Sequence, residues 1–127
     1  MKIKNLLLGC ALFLAAESFG APIAVEIVRA NADPLSVSLE AELKQRINHS
    51  TDFVVNRGAK NALELVIAEP LKTKKVANNT QVSYKVNFLT QHNILSVSSG
   101  YCWREQLSEC AEQILRDAKL SLRTNEF

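Results

Sequence analysis

Residues 82–99, VSYKVNFLTQHNILSVSS, carry the clearest structural pattern in the chain. The first half of this stretch places apolar residues at every second position, at Val82, Tyr84, Val86 and Phe88. A period of two puts the apolar side chains on one face of a strand. The polar residues 90–93 are typical of a turn, and residues 94–99 then return as a partner strand. This stretch therefore predicts an antiparallel hairpin.

A strand and a helix precede this hairpin. Residues 23–29, IAVEIVR, alternate like a strand. Asp33 suits the cap before a helix, and Pro34 suits the first helical position, where its missing N–H is no loss. An apolar residue then recurs at every fourth position, at Leu35, Leu39, Leu43 and Ile47. We therefore expect a helix that ends near residues 48–50.

The remaining segments complete the predicted fold. Residues 53–55, FVV, predict a short strand closed by the turn Arg57-Gly58. Residues 62–69 are nearly continuously apolar, which favours a central strand. The lysine-rich residues 71–81 predict a mobile hairpin loop, and residues 103–122 have a helical period. The predicted order is β-α-β-β-β-β-α, an α+β fold with two helices packed on one face of a mostly antiparallel sheet.

The N-terminus has the pattern of a secretory signal peptide. A positive region with Lys2 and Lys4 and an apolar run over residues 6–16 precede a predicted cut between Gly20 and Ala21. We therefore predict a cleaved signal peptide over residues 1–20 and a periplasmic or secreted protein. The 127 residues leave room for one domain, which we expect over residues 21–127.

Two alternatives to simple cleavage remain open. An uncleaved anchor would need about 20 apolar residues to span a bilayer, and the apolar run is roughly half of that. Lipidation at Cys10 would require the apolar run to end at the cysteine, but in this sequence it continues past Cys10. We expect neither, and we expect no stable membrane insertion after cleavage.

Cys102 and Cys110 are the cysteines left after cleavage. An even pair in an exported protein favours a disulfide. Metal binding is the alternative, although two thiols without a nearby His or second Cys pair make a poor zinc site. We predict a Cys102–Cys110 disulfide.

The sequence contains no recognisable grouping of catalytic residues. We therefore expect neither an enzyme nor a bound cofactor or metal. His49 and His92 both lie in predicted turns without ligands at metal-binding spacing. The acidic residues Glu105, Glu109 and Glu112 have the spacing of a solvated helix face. An enzyme would need the open sheet face to join Glu26, Glu64 or Lys85 to an acid or base.

Two groups of residues are candidates for an interface. The segment Gly100-Tyr101-Cys102-Trp103 holds two aromatic residues of the kinds that anchor interfaces, although both could instead pack beside the disulfide. Lys72, Lys74 and Lys75 could contact an anion or a partner, or could simply be solvated. The formal net charge of +2 is too small to indicate nucleic acid.

Asn48 and Asn78 begin the pattern of a glycosylation acceptor, which matters only in a eukaryotic host. The compact signal peptide is typical of bacteria, so we do not expect either asparagine to be modified.

The segment PLSVSLEAELKQRINHSTDFVV, residues 34–55, resembles the opening of bacterial envelope domains built like the N-terminal domain of TolB. The curli secretion lipoprotein and the periplasmic penicillin-binding-protein activator share this arrangement, in which a strand and a helix lead to a hairpin-rich sheet and a closing helix. Residues 62–88 and 106–118 keep that order. The resemblance implies a non-catalytic adaptor or binding module of the bacterial envelope and transfers no functional residue.

We therefore expect a periplasmic binding or assembly module whose partner is another protein of the cell envelope. The alternative is a periplasmic immunity protein or inhibitor that neutralises a toxin or hydrolase. The genes beside this one in the genome would discriminate between them, because a toxin gene favours the inhibitor and secretion or cell-wall genes favour the module.

Overall fold

The computed structural model describes residues 22–56, 61–91 and 93–124. The predicted signal peptide, including Cys10, lies outside these residues, as do the predicted turn Arg57-Gly58 and His92. The described elements are β1 (Ile23–Arg29), α1 (Pro34–Asn48), β2 (Phe53–Val55), β3 (Leu63–Ile67), β4 (Lys72–Val76), β5 (Asn79–Thr90), β6 (Asn93–Trp103), a 3₁₀ turn (Arg104–Gln106) and α2 (Leu107–Thr124).

Helix α1 begins where the sequence predicts it. The Ser36 amide donates to Asp33 Oδ2 at 3.1 Å, and Pro34 occupies the first turn. This satisfies one of the amide groups that the start of a helix leaves unpaired. The apolar residues at every fourth position, Leu39, Leu43 and Ile47, are buried.

The sheet combines parallel and antiparallel pairs. Strand β1 lies between β2 and β3 and is parallel to both. Strand β3 continues the sheet to β5 in antiparallel pairing, which confirms its central position. One edge of β5 pairs with β6 along its length, and the other edge pairs with β3 near one end and with β4 near the other.

Strand β4 corrects the sequence prediction, because residues 71–81 were expected to form a loop. The structure contains strand β4 and a tight turn at Ala77, whose φ is 57°. The side chains of all five β4 residues are exposed. Their burial therefore contributes little, and the strand is held by its backbone pairing with β5. Hydrophobic alternation cannot detect a strand of this kind.

The final helix begins later than its periodicity predicts. Trp103 was expected in the helix but is the last residue of β6. The 3₁₀ turn Arg104–Gln106 separates it from the start of α2 at Leu107. The helical spacing from Trp103 to Leu107 is therefore coincidental, since Trp103 ends β6 and Leu107 begins α2.

Both helices pack on the same face of the sheet and share one hydrophobic core with it. The sheet contributes residues at alternate positions, such as Val82, Val86 and Phe88, and the helices contribute Leu43 and Ile114. This arrangement confirms the predicted α+β class. Within the described residues, no helix combines the length and apolar character needed to cross a bilayer.

Candidate interaction surface

The open face of the sheet brings together residues from β4, β5 and β6. Ser83 pairs with Lys72 on one side and with Tyr101 on the other. Gln81 pairs in the same way with Lys74 and Trp103. Directly paired residues share a face of a sheet. Two rows therefore run across this face, and each joins a lysine to an aromatic residue over two strand spacings, roughly 10 Å.

The disulfide determines which way the two aromatic residues point. Cys102 lies between Tyr101 and Trp103 and is bonded to Cys110 of α2, with a Cα–Cα distance of 5.7 Å. Because successive side chains of a strand point to opposite faces, Tyr101 and Trp103 must lie on the open face. The predicted disulfide is therefore present, and it orients its two aromatic neighbours away from the helices.

The exposure of these side chains differs. Tyr101 is 65% exposed, whereas Trp103 is only partly exposed. The lysines at the other end of the rows, Lys72 and Lys74, are exposed. We call the surface formed by Tyr101, Trp103, Lys72, Lys74 and Lys85 the aromatic–basic face.

The structure changes which lysines belong to the candidate interface. Lys75 pairs with the buried Thr80 and so lies on the opposite face from Lys72 and Lys74. Lys85 is exposed and pairs with Ser99, which places it on the aromatic–basic face. Sequence reasoning did not include Lys85 in the interface, although the alternation over residues 82–88 contained the signal.

On the helix side of the sheet, hydrogen bonds between polar side chains join β6 to α2. Ser98 Oγ donates to Asp117 Oδ2 at 2.7 Å and lies 3.4 Å from the hydroxyl of Tyr84. One strand repeat away, the hydroxyls of Ser96 and Ser121 are hydrogen-bonded. Burial raises the pKa of Tyr84, in keeping with a phenol held largely away from water.

Gly100 is the next residue of β6 on the same side of the sheet. A Cβ at this position would meet the Tyr84 hydroxyl at 2.9 Å and Gln113 Nε2 at 3.1 Å. The strand therefore places Gly100 where the tyrosine and the glutamine leave no room for a methyl group. Every second residue of β6 from Ser96 to Cys102 therefore contacts α2 or lies close to it, and the last of them is bonded to it by the disulfide.

The acidic residues considered for catalysis are spread over the molecule. Glu26 and Glu64 are paired in the sheet register, both on the open face. Lys85 lies four residues along β5 from Leu89, the partner of Glu64, which corresponds to roughly 13 Å. The register therefore does not bring Lys85 to the two glutamates.

The helical acids do not form one site either. Glu112 Oε2 lies 2.5 Å from Arg46 Nη1 in an ion pair between the two helices. Glu105 belongs to the 3₁₀ turn, and Glu109 is exposed on the first turn of α2. Within residues 22–56, 61–91 and 93–124, no group of three metal-binding side chains is present.

An open cleft of about 320 Å³ lies between the helices and the start of β2. Two ion pairs border it: the Arg46–Glu112 pair and a second pair between Lys119 Nζ and Asp52 Oδ2 at 3.1 Å. His49 also lines the cleft, with its Nδ1 2.8 Å from the carbonyl oxygen of Gln45. The first pair joins the two helices, and the second joins α2 to the segment that leads into β2.

The two asparagines with acceptor patterns are at accessible positions. Asn48 is the exposed last residue of α1, and Asn78 is exposed in the turn between β4 and β5. The expectation that neither asparagine is modified stays a prediction from the sequence.

No protein-family model matches this chain, and no curated protein shows significant sequence similarity to it. Among solved structures, it is similar to a minor lipoprotein from Acinetobacter baumannii, with 14% identity and a TM-score of 0.48 over 80% of this chain and 94% of that chain. It is also similar to two structures of the PelC dodecamer from Paraburkholderia phytofirmans. One is a variant (17% identity, TM-score 0.41, covering 72% of this chain and 80% of that chain). The other has 16% identity and a TM-score of 0.41 over 73% and 80% of the two chains.

At these identities and scores, the similarity assigns no function to this chain, and the closer resemblance to TolB-type domains stays a prediction.

Proposed function

We propose that this chain is an exported, non-catalytic binding or assembly module of the bacterial periplasm that acts through protein–protein contacts. The observation that carries the proposal is the aromatic–basic face, on which Tyr101 is 65% exposed and shares the sheet surface with lysines. Tyrosine and tryptophan are enriched at interfaces because they combine a large apolar area with a polar group. The partner we propose is another envelope protein with an acidic, partly apolar surface.

Export is supported by two independent features. The N-terminal sequence has the pattern of a signal peptide, and the Cys102–Cys110 disulfide is formed in the structure. Disulfides persist in the periplasm and in secreted proteins, and are rare in the reducing cytosol. A non-catalytic role is supported by the sheet register, which pairs Glu26 with Glu64 and leaves Lys85 away from both.

The test is site-specific photo-crosslinking in the bacterial envelope. A photoreactive amino acid replaces Tyr101, and the matched control replaces Val54, which is 44% exposed on the same face of the sheet but at its far edge. We expect a discrete adduct with one envelope protein other than this chain from position 101 and not from position 54. The double substitution Lys72→Glu and Lys74→Glu should weaken that adduct strongly, because it reverses the charge beside the aromatic residues.

Equal labelling from both positions, or an adduct that is indifferent to the lysine substitutions, would count against the proposal. The identity of the adduct also separates the assembly module from the inhibitor. A toxin or hydrolase whose activity falls on binding would assign the chain to the inhibitor class.

A further inference from the structure

Three strands of the described sheet have a free edge, and two of these edges are protected. Strand β2 has only three residues. Strand β4 carries three lysines along five residues. Short edge strands and lysine-rich edge strands are two ways in which proteins prevent their sheets from pairing with other chains.

The third edge, β6, lacks these protections. Its eleven residues, NILSVSSGYCW, include no charged residue and no proline. A bulge near its beginning interrupts the pairing with β5, so residues 96–103 form the regular part of the strand. Such an edge is a template for another strand, because no second strand of the described residues pairs with its outer N–H and C=O groups.

The exposed apolar side chains concentrate on this edge. Ile94 and Tyr101 are each 65% exposed, and Val97 is 47% exposed. The strand is also held in an extended form by the disulfide at Cys102 and by the hydrogen bond from Ser98 to α2. A strand that is already ordered loses little conformational entropy when it pairs.

We infer that β6 pairs with β6 of a second copy of this chain, antiparallel and around a two-fold axis at Ser99. A two-fold axis perpendicular to the sheet keeps each side chain on its own face, so residues are paired only when they share a face. With the axis at Ser99, Val97 of each copy lies directly opposite Tyr101 of the other. A β-branched residue opposite an aromatic residue is a favourable cross-strand pair.

The other face and the charges are compatible with this register. Ser98 of each copy lies opposite Gly100 of the other, so the strand residues that meet on the helix side are small. The nearest lysine on the open face, Lys85, pairs with Ser99 of its own chain. The two copies of Lys85 would be three strand spacings apart, roughly 14 Å, a distance at which salt largely screens their repulsion.

This inference does not rest on the proposed function, because it concerns the strand edge of the chain alone. It adds one consequence to that function: the dimer would place two aromatic–basic faces side by side on a continuous sheet. A partner with two matching surfaces would then bind with higher avidity than a single face allows.

The test uses the exported chain purified from the periplasm, with its mass measured by light scattering across a concentration series. We expect a dimer that Val97→Lys abolishes, because the change places a charge in each half of the shared edge. Val54→Lys is the matched control, since Val54 has nearly the same exposure on the opposite edge of the sheet. Circular dichroism verifies that both variants are folded.

A second variant tests the register. Ser99→Cys would bring two thiols together at the axis, where paired Cα atoms lie about 4.5–5.5 Å apart and can form a disulfide. We expect a covalent dimer on a non-reducing gel, and none from Ser83→Cys, which is exposed on the central strand β5. A chain that is monomeric at every concentration, equal effects of the two valine variants, or a dimer without a crosslink at position 99 would each overturn the inference.

Discussion

Glu40 of α1 forms ion pairs with two cations, one on the first strand and one on its own helix. Its Oε1 lies 2.6 Å from Arg29 Nε at the end of β1, and its Oε2 lies 3.1 Å from Lys44 Nζ one turn along α1. The hydrogen bond from Arg29 is the main cause that lowers the pKa of Glu40, against an opposing effect of burial. The folded state therefore favours the ionised carboxylate.

Glu40→Gln should lower the free energy of unfolding by about 1–2 kcal/mol at neutral pH, because it removes a charge-assisted hydrogen bond. A lowered pKa means that this stabilisation is present above the ordinary value of 4.5 and is lost as the pH falls through the folded-state pKa. Urea unfolding of both proteins should therefore show a difference that shrinks in acid. Glu42→Gln on the same helix is the control, and an equal effect at that position would contradict the assignment to Arg29.

The contact between β6 and α2 is the element-scale feature that organises this end of the molecule. Strand positions repeat every two residues and helix positions every three or four, so alternate residues of β6 meet successive turns of α2. The structure shows this at Ser96 with Ser121 and at Ser98 with Asp117. Small side chains on the strand allow the helix to approach, and at Gly100 an added Cβ would meet Gln113 Nε2 of α2 at 3.1 Å.

Gly100→Ala should destabilise the protein by about 1–3 kcal/mol, because the new methyl group would meet the Tyr84 hydroxyl at 2.9 Å in a packed region. Tyr84→Phe removes that hydroxyl, so the same glycine substitution should cost less in the phenylalanine background, with a coupling of about 0.5–2 kcal/mol. Urea unfolding of the four proteins in this cycle measures the coupling. Strictly additive effects would show that the hydroxyl is not the limiting contact.

At the scale of the whole molecule, the disulfide joins the last strand to the last helix where the aromatic–basic face meets the free edge of the sheet. It holds Cys102 on the helix side, and so it keeps Tyr101 and Trp103 on the open face. The α+β architecture leaves that face without a covering layer among the described residues. The disulfide thus links the stability of the fold to the orientation of the proposed interface.

Replacing both cysteines by serine, Cys102→Ser with Cys110→Ser, should lower the free energy of unfolding by about 2–3 kcal/mol. The chain-entropy model gives this value for a loop of this length, because the open loop gains freedom in the unfolded state. Thermal and urea unfolding of the exported protein, compared with the double variant, measure the difference. Unchanged stability would show that the bond is absent from the exported protein or that strain cancels its benefit.

The sequence alone determined the local elements whose side chains are buried on one face. Apolar residues alternate over residues 82–88 and recur at every fourth position of α1. Both patterns predict elements that the structure contains, since burial of one face imposes those periods. The pairing of Cys102 with Cys110 was also predictable, because only two cysteines follow the predicted signal peptide. Strand β4 was missed because a lysine-rich edge strand buries no side chain and leaves no apolar period.

Which residues share a surface follows from the strand register and not from any local pattern. The register of β4, β5 and β6 places Lys72 and Lys74 in line with the aromatic residues and turns Lys75 to the other side. It also leaves β6 as the long uncharged edge. Register and strand order are long-range properties, set by which backbones pair rather than by any local run of residues, so no pattern within one segment of the sequence could have specified them.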